Sequence, residues 1–266
     1  MNNHSLVEYT ILFFAAALGG GVNAVAGGGT LLTFPSLYAI LGPVFGLEAS
    51  VIANATSTVA LFPGSVGGAW GFREDLKKYR AWVRVLLPPS LIGGLVGALL
   101  LVTLPADAFD AAVPWLILTA AGLFSLQPYI AKWFGIGQAH AAPARGTIVG
   151  VVLFQFLVGI YGGYFGAGIG ILMLSALAIM GLTDIHSMNG LKNVLGATIN
   201  GIAVAVFIWN GTVYWPVALL MAVGAGVGGV AAAKIAKRID RKWVRRLVIT
   251  IGYALAAYYF YKQFVK

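Results

Sequence analysis

The chain has 266 residues, 60% of them hydrophobic and only 9% charged, and no cysteine. That charge density lies far below the roughly 25% of an ordinary soluble domain, and the missing thiols exclude disulfides, thiolate metal sites and thiol nucleophiles. The net charge of +9 is not a nucleic-acid signature, because most of it sits in two short clusters beside apolar segments, where basic residues set topology.

Apolar runs of bilayer-crossing length recur from end to end, which predicts an all-α polytopic membrane protein. No Lys or Arg precedes Leu6, which argues against a cleaved signal peptide. The first run divides into Leu6–Ala26 and Thr30–Leu41, hinged at glycines and bent again near Pro35. Leu47–Pro63, Trp82–Leu104 and Ala111–Tyr129 follow. Past a linker over 132–145 come Ile148–Phe165, Ile169–Met180, Ile185–Ile208, Val213–Ala236 and Val244–Phe260. All seven tryptophans fall near segment ends, as interfacial anchors do.

The two halves, 1–131 and 146–266, read as copies. A shift of 139 residues carries Gly20 to Gly159, Gly27 to Gly166, Gly29 to Gly168, Asn54 to Asn193 and Trp70 to Trp209. A shift of 131 carries Gly93 to Gly224 and Gly97 to Gly228. Charge predicts their relative sense. The loop after the third piece carries Arg73, Lys77, Lys78, Arg80 and Arg84, whereas its counterpart around Trp209–Gly211 carries no base. The next loop reverses this, with Asp107 and Asp110 in the first copy against Lys234, Lys237, Arg238, Arg241, Lys242, Arg245 and Arg246 in the second. The copies are therefore expected to be inverted, which needs an odd number of crossings in each. Either the two pieces around each glycine break both cross, or they form a re-entrant pair beside three spanning helices. The second pieces, about 20 Å long at 1.5 Å per residue, favour the re-entrant form. Both forms put the termini outside and the linker, with Lys132 and Arg145, in the cytoplasm. Lys262 and Lys266 sit poorly with that assignment.

The glycine breaks are the focus of the functional reading. Gly19–Gly21 and Gly27–Gly29 lie deep in one apolar run, and Gly159–Gly170 holds the second cluster. Irregular backbone at bilayer depth is tolerated only where protein buries it or water reaches it, and matched breaks in two halves point to a transport site. A restarted helix offers free N–H groups and the positive end of its dipole, which bind anions without a basic side chain. Gly27, Gly28, Gly29 and Thr30 in one half, with Gly166 and Gly168 in the other, are the candidate donors, beside Asn23. Tight helix packing or simple kinks are the alternative use of such glycines. Ser50, Asn54, Ser57 and Thr58 share a helix face, and Asn189, Lys192, Asn193 and Asn200 share the corresponding one. Asn54, Ser57, Asn189 and Asn193 become candidate substrate contacts, against the alternative of polar glue between helices. Lys192 is an ionisable group in a membrane segment, hence a functional candidate, unless it snorkels to the interface.

No carboxylate stands at mid-segment, and Asp107 and Asp110 are expected in a connector. A metal-cation site would need Asp, Glu, His or Cys at depth, so neither a metal nor any other cofactor is expected. Asp184 and His186 could pair, although a solvated turn suits them better, and Gln155 is buried without an assigned role. No catalytic constellation assembles, which leaves an anion transporter, with an anion channel or a non-transporting assembly subunit as rivals.

The segments Asn23-Ala24-Val25-Ala26-Gly27-Gly28-Gly29-Thr30-Leu31-Leu32-Thr33-Phe34-Pro35, Ala53-Asn54-Ala55-Thr56-Ser57 and Gly163-Tyr164-Phe165-Gly166-Ala167-Gly168 resemble the sulfite exporter TauE/SafE family, also called the toluene sulfonate uptake permeases. The resemblance spans essentially the whole chain. It implies a multi-pass permease of the bacterial inner membrane for small sulfur-containing or organic anions such as sulfite, thiosulfate, sulfonates or sulfoacetate, in either direction. It also implies seven or eight spans.

Overall fold

The computed structural model describes residues 5–71, 79–134, 145–182, 184–235 and 241–264. Its described residues form ten α-helices, a short 3-10 turn over Gly46–Glu48, and no strand. Helix α1 (Leu6–Ala26) opens on a capping box, in which the Ser5 N–H donates to Glu8 at 2.7 Å and the Glu8 N–H donates to Ser5 Oγ at 3.2 Å, satisfying donors that a helix start leaves free. It stops at Gly27, whose φ of 78° only glycine adopts without strain. Then follow α2 (Thr30–Phe45), α3 (Ala49–Gly71), α4 (Arg80–Thr103) and α5 (Ala106–Trp133). The second half supplies α6 (Arg145–Tyr164), α7 (Ile169–Ile179), α8 (Ile185–Trp209), α9 (Trp215–Ile235) and α10 (Arg241–Phe264).

These helices match the expected pieces one for one, with two differences. The third piece runs on through Pro63 to Gly71, because a proline inside a membrane helix can be carried when neighbours satisfy the freed groups. Asp107 and Asp110 lie on the first turns of α5 rather than in a connector. Their negative charge suits the positive end of that helix, and the Tyr38 hydroxyl bonds to Asp110. The basic residues Arg73, Lys77, Lys78, Lys237 and Arg238 lie outside the described residues.

Among the described residues seven segments are long and apolar enough to cross a bilayer, the chain from Thr30 to Gly67 counting as one, so this is an all-α polytopic membrane protein. Helices α1 and α6, of 21 and 20 residues, have the length to cross. The 11-residue α7 rises only about 16 Å at 1.5 Å per residue and cannot span a core about 30 Å thick.

The two halves interlock. Helix α1 packs along α9, and α4 packs along α6; α3 meets α8 at the centre, α3 also touches α9 as α4 touches α8, and α5 pairs with α10. This pattern is unchanged when α1–α5 are exchanged with α6–α10. Glycine permits the closest approaches. A Cβ on Gly20 would land on the Ala225 carbonyl and one on Gly228 on that of Ala17, while Gly93 and Gly97 stand against the carbonyls of Phe156 and Ile160 in the same way. Such backbone-to-backbone contact is how membrane helices associate when lipid is as apolar as their side chains. Gln155 finds its role at this seam, its Nε2 donating to Ser90 Oγ at 2.9 Å between α6 and α4.

Candidate functional site

Both helix breaks open onto one cavity of about 450 Å³. Its wall takes residues from α1, α2, α3, α7, α8 and α9, so each half supplies part of it. Gly27 and Gly166, equivalent under the 139-residue shift, both line it with positive φ, 78° and 86°. Space beside each turn is open: a Cβ on Gly27 would meet nothing within 4 Å, and one on Gly166 only the Gly162 carbonyl at 3.1 Å.

The second break leaves its donors unused. The Gly166 N–H turns back to Tyr161 O at 3.1 Å, and the next backbone donor with an acceptor is Ile171, bonded to Gly168 O at 3.1 Å. The N–H groups of Ala167 through Gly170 have no backbone acceptor among the described residues, as expected where a helix restarts. Over this start lies Lys192 of α8. A Cβ on Gly170 would stand 3.2 Å from Lys192 Cδ and 3.9 Å from Cε, so the lysine stem crosses the first turn of α7, and Lys192 lines the cavity. A cation beside a helix N-terminus adds positive potential to positive potential, and among the described residues no Asp or Glu lines the cavity. Asn23, Thr30, Thr58, Ser65, Asn193 and Asn200 complete the polar lining, with Asn200 Nδ2 donating to Ser65 Oγ at 3.2 Å across the two halves.

Not every candidate faces this space. Of the twelve, Asn23, Gly27, Thr30, Gly166, Lys192 and Asn193 line it, while the other six do not. Gly28 is buried against the Phe124 ring and Gly29 against the Gly19 carbonyl and Asn23, so these two serve close packing. Gly168 caps the start of α7 with φ 81° beside Leu123 and Phe124. Asn54 is 1% exposed; its Nδ2 donates to Tyr164 O at 3.0 Å, which pins the last turn of α6 two residues before Gly166. Ser57 is wholly buried and shares a hydrogen bond with Thr33. Asn189 is half-buried away from the cavity. Asp184 turns out to cap α8, accepting the Ser187 N–H at 3.1 Å as well as its hydroxyl; the His186 side chain lies outside the described residues. Thr58 and Asn200 were visible on the polar stripes, whereas Ser65 lies beyond the expected end of its helix.

Across Phe165 from the cavity is an aromatic cluster. The Phe165 ring meets Phe34 at 5.6 Å and Phe109 at 6.5 Å between centroids, and Phe109 meets Tyr164 at 5.3 Å. Phe34, Phe109 and Phe165 are all buried. No group of three or more His, Asp or Glu side chains that could hold a metal ion occurs among the described residues.

Comparison with known proteins agrees with this architecture. No solved structure matches the chain. A "probable membrane transporter protein ORF9" from Sinorhizobium is 27% identical over 250 residues, covering 92% of this chain and 89% of the relative. The Escherichia coli K12 "probable membrane transporter protein YfcA" is 25% identical, with 93% and 87% covered. A "probable membrane transporter protein" of Haemophilus influenzae is 24% identical, with 95% and 94% covered. These relatives support membrane transport as the class of activity. The model of the sulfite exporter TauE/SafE family matches residues 12–259, and the chain belongs to that family.

Proposed function

We propose that the protein is a secondary transporter of small anions, such as sulfite, thiosulfate, sulfonates or sulfoacetate, and that the cavity is its binding site. The observation that carries this reading is the meeting of both glycine turns with Lys192 in a space that no carboxylate of the described residues lines. The free N–H groups of Ile169 and Gly170 would hold the oxyanion, Lys192 would balance its charge, and Asn23, Thr30 and Asn193 would orient it. Asn54 acts at one remove, by fixing the end of α6.

Alternating access is supported by the one-sided shape of the site. The lining extends to Gly67 near the end of α3 and to Val230 near the end of α9, and both helices lead into the basic stretches expected in the cytoplasm. The other side is filled. The partners of Gly64 and Gly67 under the 139-residue shift are Ala203 and Val206, both buried, and the partner of Gly196 is Ser57, locked to Thr33. With the aromatic cluster behind Phe165, this supports an inward-facing state in a pair of inverted copies, in an inner membrane with both termini periplasmic.

The test is a thermal-shift screen of purified protein against these anions and short carboxylates, followed by counterflow exchange in proteoliposomes. A ligand that raises Tm and exchanges against labelled substrate is expected. Steady single-channel current without counterflow would make the protein a pore, and no shift with any anion would leave an assembly subunit.

A further inference from the structure

Four glycines of the cavity wall have no structural reason to be glycine. Gly64 and Gly67 of α3, Gly196 of α8 and Gly226 of α9 all sit in regular right-handed helix, and a Cβ on any of them would meet nothing within 4 Å. Of the other lining glycines, Gly20 has the Ala225 backbone against it, Gly27 and Gly166 need positive φ, Gly170 lies under Lys192, and Gly229 packs 3.6 Å from the Gly20 carbonyl. Glycine inside a helix is unfavourable relative to alanine. Nothing about backbone shape or close packing offsets that at the four open positions. What they share is the space in front of them.

The space is larger than a bare oxyanion requires. At roughly 30 Å³ per water, 450 Å³ holds about fifteen waters, several times the bulk of a tetrahedral oxyanion. Lys192 lies over the start of α7; Leu61, Pro63, Ala225 and Val230, together with the hydrogen-bonded Ser65 and Asn200, accompany the open glycines along the wall.

We infer that Gly64, Gly67, Gly196 and Gly226 are specificity-determining residues that set the girth of the anion admitted, leaving room for an apolar organic group carried behind a charged head. This rests on the transport reading and refines it. The head engages the second glycine turn and Lys192, and the organic group lies along the open helix faces. A side chain at these positions fills the cavity without disturbing a neighbour, so it discriminates by size.

The experiment uses the full-length protein and a linear alkanesulfonate series from methane- to hexanesulfonate, with Gly196→Val, Gly226→Val and the milder Gly196→Ala, Gly226→Ala. Ligand-free Tm, ligand-induced Tm shift and counterflow are measured for each. The alanine variants should show unchanged or higher ligand-free Tm, which keeps the test valid if a valine variant does not fold. Methanesulfonate affinity should stay within about threefold of the parent, while the longest chain the parent accepts should lose about tenfold or more, the scale on which a pocket senses a methylene or two. Equal loss at every chain length, an unchanged profile, or a parent accepting methanesulfonate alone would each overturn the inference. A parent that responds to no anion at all would instead sink the transport reading, and this inference with it.

Discussion

Replacing Asn54 by alanine removes one amide from the middle of the molecule and leaves the Tyr164 carbonyl, at the end of α6, without its 3.0 Å donor. The Asn54 side chain is 1% exposed and its Oδ1 has no hydrogen-bond partner, so the removed group itself was only half satisfied. The cost is therefore mainly that of an orphaned buried carbonyl, about 1–3 kcal/mol, plus a small cavity. Asn54→Asp should cost more. It sets a carboxylate against a carbonyl at the negative end of α6, reversing a favourable contact. Asn54→Gln keeps the donor but overpacks a full site, for about 1–3 kcal/mol. Thermal unfolding in detergent should rank parent, then alanine, then aspartate. Because Asn54 holds the residues just before Gly166, the Tm increment given by a bound anion should also shrink in the alanine variant. An alanine variant with the parent's ligand-free Tm and the parent's ligand response would refute both the energetic reasoning and the positioning role.

Lys192→Gln should weaken anion binding by about 10- to 100-fold, the order of one hydrogen bond to a charged group, with Lys192→Arg retaining part of it; equal titrations of parent and glutamine variant would remove Lys192 from the site. Gly166→Ala forces a side chain into the left-handed region at φ 86°, costing about 1–2 kcal/mol, and should lower Tm, whereas an unchanged Tm would mean the turn relaxes freely. Gln155→Met exchanges a buried amide, whose Oε1 has no partner, for an apolar group of similar size, so stability should hold or rise; a clear fall in Tm would show the Ser90 bond to matter more than its geometry suggests.

Most of the helical framework was legible because apolar length and glycine punctuation report directly on a chain that must satisfy its own backbone in lipid. The site was legible in part. Asn23, Gly27, Thr30, Gly166, Lys192 and Asn193 reach the cavity because breaks and polar stripes mark which faces need explaining. The sequence is silent on what lies opposite a face. Gly28 meets the ring of Phe124, a residue far along the chain, so a motif glycine with the look of a ligand contact is a packing glycine. Ser57 is similar: its stripe was visible, but its partner Thr33 on α2 was not. Ser65 escaped notice because Pro63 reads as a stop, and the helix passes through it.

The exchange of helices between the halves bears on how the protein is made. During synthesis α1 enters the bilayer long before α9, the helix whose backbone its glycines touch, has left the ribosome. Its small-residue face must wait in lipid, exposed to wrong partners, until nearly the whole chain has been inserted. The α4–α6 seam closes earlier, so it is the natural nucleus of assembly. Neither half made alone could complete the α1–α9 or α4–α6 seam, but the two halves supplied as separate polypeptides in one membrane should find each other and assemble.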